Sequence, residues 1–269
     1  MTTPAIALRD IVCTFPPSAK GGSSYTAVRD VSLSVADGEF VSVVGPTGCG
    51  KSTLLNMSAG LLTPSAGSVH IFGEPLRGLN RRAGYMFQAE ALMPWRNAIQ
   101  NVMAGLEVRN VDVAESRRRA TEWLERVGLR GRGDAYLHQL SGGMRKRVAL
   151  AQILILEPEI LLMDEPFGAL DVQTRQLMEN ELLALWSANR KSVIFITHDL
   201  EEAISLSDRV VVMSAGPASR PIGEFPIDLP RPRDVAEIRL TPEFLRIHAA
   251  IWETMRDEVL KGYQQHERA

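Results

Sequence analysis

Short apolar runs alternate with helical repeats along most of the chain. Residues 6–15 and 28–35 alternate loosely between apolar and polar positions, the period of a half-buried strand. Residues 16–24 between them are Pro, Ser, Gly, Ala and Lys only, a loop by composition. Asp37-Gly38 marks a tight turn, and 40–44 is a short apolar run of the kind that a strand covered on both faces shows. A glycine-rich stretch and a helical pattern over 51–61 follow at once. Residues 68–72, 83–87, 160–163 and 193–197 read as further strands, the last two ending in polar residues. The pattern is helical from 97 to about 127, with Trp123, Leu124 and Val127 on one face. Another helix starts near Ser141, and 172–189 predicts a long amphipathic one. Residues 210–213 and 222–227 predict a hairpin around 214–217. Thr241-Pro242-Glu243 has the form of a helix start, and this last helix is expected to reach about Lys261, with Phe244, Leu245, Ile251, Met255 and Val259 as its apolar stripe.

Strands alternating with helices predict an α/β fold, a mainly parallel sheet flanked by helices. In such sheets ligands bind at the carboxyl ends of the strands. Residues of about 89–140 read as an inserted helical lobe, and 214–269 as a hairpin-and-helix extension packed on the same domain, leaving 1–213 as the main unit.

Composition narrows the classes. A chain of 269 residues, 45% apolar and 23% charged, suits one large globular domain with an inserted lobe. Net charge is −2, from 30 basic and 32 acidic residues, so no basic footprint argues for a nucleic-acid partner. The two cysteines, Cys13 and Cys49, form neither a metal cluster nor a disulfide framework, which points to a reducing cytoplasm. The amino terminus lacks a signal peptide's basic start and apolar core. No run approaches the ~18 apolar residues of a membrane span. Any membrane role is therefore expected to be peripheral, through a partner.

The chemistry begins at Gly45-Pro46-Thr47-Gly48-Cys49-Gly50-Lys51-Ser52-Thr53, which fits G-x-x-x-x-G-K-[ST]. Glycines let successive backbone N–H groups turn toward a phosphate, and the helix starting at Lys51 adds its positive dipole end. Lys51 is expected to reach the β- and γ-phosphates of ATP and Ser52 to ligate Mg²⁺. The strand at 160–163 ends in Asp164 and Glu165. Asp164 is placed to hold Mg²⁺ directly or through water, and Glu165 to polarise the attacking water as general base. Leu140-Ser141-Gly142-Gly143-Met144 precedes a further helix, a second anion-binding design. Two such helix starts in one chain make sense if they meet across an interface.

In order, these motifs resemble those of the ATP-binding-cassette family over residues 6–213. After the phosphate loop come Gln88, Ser141-Gly142-Gly143, the acidic strand ending at Glu165, Ala169-Leu170-Asp171, and His198 in Ile196-Thr197-His198-Asp199. The resemblance implies a P-loop NTPase core with an N-terminal antiparallel β subdomain and an inserted helical subdomain. It implies that Gln88 touches Mg²⁺ and the attacking water, that His198 contacts the γ-phosphate and steadies Glu165, and that Asp171 lies at a dimer interface. Ser141, Gly142 and Gly143 would bind the γ-phosphate of ATP held by the other subunit. The adenine-stacking aromatic best matches Phe15, with Tyr25 as the rival. Where the family's signature ends in Gln, this chain has Met144, with little expected loss of ATP binding because the serine and glycines are kept.

Residues 91–96, 141–145, 168–175 and 228–234 look like the nitrate, sulfonate and taurine importer branch. The last of these reads physically as an extended, proline-stiffened basic segment. The reading that follows is an ATPase subunit of an importer for a small oxyanion or organosulfur solute. It would act at the cytoplasmic face of the inner membrane as a dimer with itself or a paralogue, bound to an integral permease and served indirectly by a substrate-binding protein. The alternative is a soluble cassette ATPase of DNA repair or translation, but neither a coiled coil before Ser141 nor a second cassette is present. A P-loop kinase is disfavoured by Ser141-Gly142-Gly143 and His198.

Overall fold

The computed structural model describes residues 3–17, 23–89 and 91–266, with side chains through Gly262; positions 18–22 of the loop expected at 16–24 lie outside the described residues. Two sheets are present among them. Strands β1 (Ile6–Phe15), β2 (Tyr25–Val35), β4 (Ala66–Ile71) and the short β5 (Glu74–Pro75) form an antiparallel sheet in the order β2-β1-β4-β5. Strands β3 (Phe40–Val44), β6 (Ala83–Met86), β7 (Ile160–Asp164), β8 (Ser192–Ile196), β9 (Arg209–Met213) and β10 (Pro221–Pro226) form the main sheet, ordered β10-β9-β3-β8-β7-β6. All its pairings are parallel except β10 with β9, the expected hairpin.

The main sheet is covered on both faces, which is why β3, β7 and β8 are buried at every position. On one face Phe40, Leu161, Met163 and Phe195 pack with the helices α2 (Ala98–Val108), α3 (Val113–Arg126), α4 (Gly142–Leu154) and α5 (Val172–Ala188). On the other, Val41, Val43, Leu162 and Ile194 pack with α1 (Lys51–Ser58) and the antiparallel sheet. A third cluster joins Val44, Val210 and Val212 to α6 (Leu200–Leu206) and α8 (Pro242–His266). Alternate residues of β3 thus enter opposite cores, as the two-residue period of a strand requires.

Several expectations are corrected. The helical pattern over 97–127 is two helices, α2 and α3, parted where Asn110 takes a left-handed φ of 55° and Asp112 caps α3 by accepting from Ala114 and Glu115 N–H. Leu245 is 58% exposed and not part of the buried stripe of α8, where Ile247 takes that place. Helix α8 continues to His266. Helices α6 and α7 (Val235–Ile238), like β5, were too short for the pattern to announce. The segment 228–234 is more than a stiff basic linker. Arg233 is buried, with Nη1 donating to Ile204, Ser205 and Ser207 carbonyls and Nη2 to Ile227 and Leu229 carbonyls. It satisfies the carbonyls that the end of α6 leaves over. Arg231 lies over the Trp186 ring at 4.4 Å and bonds Asp208 at 2.8 Å. Among the described residues no helix is long and apolar enough to cross a membrane.

Candidate active site

The phosphate loop leaves the carboxyl end of β3 and enters α1. Gly50 is the left-handed cap of that helix, with φ 88°. A Cβ there would stand 2.5 Å from Val28 Cγ1, so only glycine lets the loop lie against β2. Gly45 is held as closely, since its Cβ would meet Met213 O at 2.9 Å. Pro46 and Cys49 are buried, while Thr47, Gly48 and Ser52 are exposed. Lys51 is 7% exposed, and its ammonium donates to Gly45 O at 2.8 Å and Pro46 O at 3.1 Å. Burial, only partly opposed by Lys51, pushes the Cys49 thiol up. That removes it as a nucleophile and leaves its backbone as the part that faces a ligand.

Phe15, Tyr25, Thr47, Gly48, Cys49, Gly50, Lys51, Ser52, Thr53, Gln88, Glu165 and His198 line one cleft of about 550 Å³. Phe15 and Tyr25 are cross-strand partners on β1 and β2 at its mouth, 37% and 46% exposed, so both face the space where a planar base can stack. Asp164 ends β7 and is 8% exposed. Burial raises its carboxyl above the usual range; the Ser52 hydroxyl bonded to it and the nearby Lys51 oppose this, and Glu165 adds to it. Glu165 follows at the rim. Its Oε2 accepts from Gln88 Nε2 at 3.3 Å and lies 3.2 Å from His198 Nδ1. The two carboxylates from one strand end are therefore divided: one packed against the loop's serine, the other facing the cleft between an amide and an imidazole.

Ser141, Gly142, Gly143 and Asp171 do not line this cleft. Ser141 caps α4, its Oγ accepting from Met144 N–H at 3.3 Å. Asp171 caps α5, its Oδ1 accepting from Thr174 N–H at 3.0 Å, a bond that holds its carboxyl below the usual range. A Cβ at Gly143 would meet Thr174 Cγ2 at 2.5 Å, so the first turns of the two helices pack directly on each other. That glycine has a reason within one chain, whatever else it binds.

Two functional supports were missing from the sequence reading. Lys146, 3% exposed on α4, donates to the Gln88 carbonyl at 2.9 Å and ties the Ser141 helix to the end of β6. Arg175 on α5 bonds Asp199 at 3.1 Å and the Leu170 carbonyl at 3.1 Å, while Glu202 accepts from Thr197 Oγ1 at 2.6 Å. Together they fix both residues flanking His198. Flanked by Arg145 and Arg147, Lys146 carries no signal in the sequence that sets it apart.

The family model described as ABC transporter matches residues 28–168. The chain is 44% identical to the taurine import ATP-binding protein of Pseudomonas aeruginosa, over 88% of this chain and 91% of that one. It is 40% identical to the nitrate import ATP-binding protein of Synechococcus elongatus, over 93% of this chain and 37% of that longer one. Its fold matches a dimeric ATP-binding cassette solved in a post-hydrolysis state with ADP and phosphate, at a TM-score of 0.73 and 31% identity, covering 83% of this chain and 99% of that one. With a phosphate loop and an acidic strand end on one cleft, and relatives of this identity along nearly its whole length, the chain belongs to the ABC transporter family as one of its ATP-hydrolysing cassettes.

Proposed function

We propose that this cassette energises import of a small oxyanion or organosulfur solute, taurine and nitrate being the solutes in its relatives' names. ATP would lie in the cleft, its base against Phe15 or Tyr25 and its phosphates in the loop of Gly45, Pro46, Thr47, Gly48, Cys49, Gly50, Lys51, Ser52 and Thr53. The oxygen donors Ser52, Gln88 and Asp164 fit Mg²⁺, a hard cation that shares its shell with phosphate and water. Bound there, Mg²⁺ would neutralise charge on the phosphates. Glu165 acts as general base, and Gln88 and His198 hold its Oε2 toward the cleft. The one observation that carries this reading is that shared contact, made on the rim of the phosphate-loop cleft.

A head-to-tail dimer, of this chain with itself or a paralogue, would bring Ser141, Gly142, Gly143 and Asp171 of one copy to the phosphates held by the other. The motor would span 1–213 with the lobe of about 89–140 inserted, and 214–269 would extend the same domain. We place it at the cytoplasmic face of the inner membrane, under an integral permease fed by a substrate-binding protein. Trp95 supports such docking. It is 72% exposed on a loop that buried Asn101 holds rigid, accepting from Met93 N–H at 2.7 Å and donating to the Met93 and Arg96 carbonyls. Glu165→Gln tests the base and the dimer together. The variant should bind ATP, lose at least about a hundredfold in turnover, and accumulate as a dimer by light scattering. Retained turnover would remove Glu165 from the role of base, and a monomer at saturating ATP would remove the sandwich.

A further inference from the structure

The extension after Met213 reaches the phosphate loop from behind. The connection between β9 and β10 is stitched to the start of β2, with Ala218 N–H donating to Thr26 O at 2.7 Å, Ser219 N–H to Ala27 O at 3.1 Å and Arg29 N–H to Ser219 O at 3.0 Å. Its Gly216 lies against the loop, where a Cβ would stand 3.3 Å from both Gly48 O and Tyr25 Oη. Helix α8 holds that connection in place. Glu258 Oε2 accepts from Ala215 N–H at 2.7 Å, and Lys261 Nζ donates to Glu258 Oε1 at 2.5 Å. One turn later Gly262, buried, meets the loop itself: a Cβ there would stand 3.1 Å from Pro46 Cβ. The Pro46 carbonyl is in turn one of the two carbonyl acceptors of the Lys51 ammonium. The helix cannot easily drift, because Phe244, Ile247, Ile251 and Met255 anchor it on α6 and β9.

We propose that α8 is a brace for the phosphate loop, with Glu258 and Gly262 as positioning residues for ATP. The inference rests on the placement of ATP argued above. A loop that binds through backbone N–H groups has no side chains with which to compensate for a shift, and hydrogen bonds weaken steeply off their optimum. Pro46 and Gly48 are fixed from α8 and its attached turn, so the docking of the extension sets the geometry in which Lys51 and the loop amides meet the phosphates. Glycine at 262 allows the helix axis to come this close. Burial pushes the Glu258 carboxyl up, but Lys261 and the Ala215 N–H outweigh it and hold the group below the usual range, so it accepts as an anion at neutral pH.

The test measures kcat, KM and ATP dissociation constants on the full chain, with adenosine as a probe that lacks phosphates. Glu258→Ala and Gly262→Leu should raise KM for ATP about tenfold, the size of one lost charge-assisted hydrogen bond, with kcat within about twofold and adenosine binding unchanged. Gly262→Ala, which is milder, should move KM about threefold on the same scale. Glu258→Gln keeps an acceptor for Ala215 N–H and should recover most of the affinity. Glu253→Ala, exposed on the same helix, should match the wild type. If Gly262→Leu does not fold, Gly262→Ala and the Glu258 pair carry the comparison. A role in helix packing alone would lower the melting temperature and leave KM untouched. Unchanged KM in Glu258→Ala and Gly262→Ala, with binding abolished by Lys51→Ala, overturns the brace and leaves the ATP site standing. Normal turnover in Lys51→Ala overturns both.

Discussion

Glu165 holds a left-handed φ of 43°, a conformation that costs a non-glycine residue about 1–3 kcal/mol. Its N–H is fixed to Ile196 O at 2.9 Å, which keeps the chain in that conformation and points the carboxylate along the rim to Gln88 and His198. The residue was legible in the sequence because it follows an apolar strand beside Asp164. Lys146 was not, because its partner, the Gln88 carbonyl, is 58 residues away and belongs to the backbone, which no side-chain pattern reports. Lys146 holds the strand end from which Gln88 reaches Glu165, which would make it a positioning residue for the proposed base. Lys146→Met should therefore lower kcat about tenfold, the value of a hydrogen bond to a charged group, with KM for ATP within about twofold. Lys146→Arg, which can still reach a carbonyl, should restore part of kcat. Equal loss in both variants, or a change in KM alone, would separate Lys146 from the hydrolytic step.

Among the elements, α5, α6 and the segment before α8 share a buried ionic cluster that the sequence did not show. Glu179 on α5 is fully buried and bonded by Arg239 at 2.9 Å; Glu202 and Asp199 of the α6 turn face it, Arg175 bonds Asp199, and Glu201 lies 3.4 Å from Arg239. Burial, the largest influence, pushes the Glu179 carboxyl up to about 7, Glu202 and Asp199 add to this, and Arg239 opposes it. The folded protein thus keeps a proton that the unfolded chain releases near 4.5. Its contribution to stability is fully present below 4.5 and is lost as pH rises toward 7, by up to about 3 kcal/mol. Glu179→Gln removes that term, so its melting temperature should fall several degrees less than the wild type's between pH 5 and 7.5. Parallel melting curves would show that Glu179 does not titrate in this window. Strands β3, β7 and β8 were readable because both faces are covered and all but one position in each is apolar. Helices α2 and α3 merged into one pattern because the break at Asn110 carries no Pro or Gly. Short α6 was hidden because the carbonyls at its carboxyl end are satisfied by Arg233 from a distant segment, which reads in sequence as a plain basic linker.

For the whole molecule, the decisive geometric fact is the separation of the helix starts at Lys51 and Ser141. Lys51 lines the cleft and Ser141 does not, so under the proposed head-to-tail dimer each chain would supply one side of a γ-phosphate site. The proposed two-fold dimer would supply the other side twice over, because each copy would present both patches to the other. This has a quantitative consequence for mixed chains. Lys51→Ala alone leaves every loop without its ammonium, and Ser141→Ala alone leaves every site without the serine hydroxyl, so each preparation should be nearly silent. On mixing, half the dimers pair unlike chains, and each of these holds one intact site beside one doubly altered site. If the sites fire independently, an equal mixture should recover about a quarter of wild-type ATP turnover. If each site needs the other, turnover should stay near zero while the mixture still traps about one ATP in four under non-hydrolysing conditions. Neither turnover nor trapping above the separate chains would mean that the site is completed within one chain, and that Ser141 does no more than cap α4.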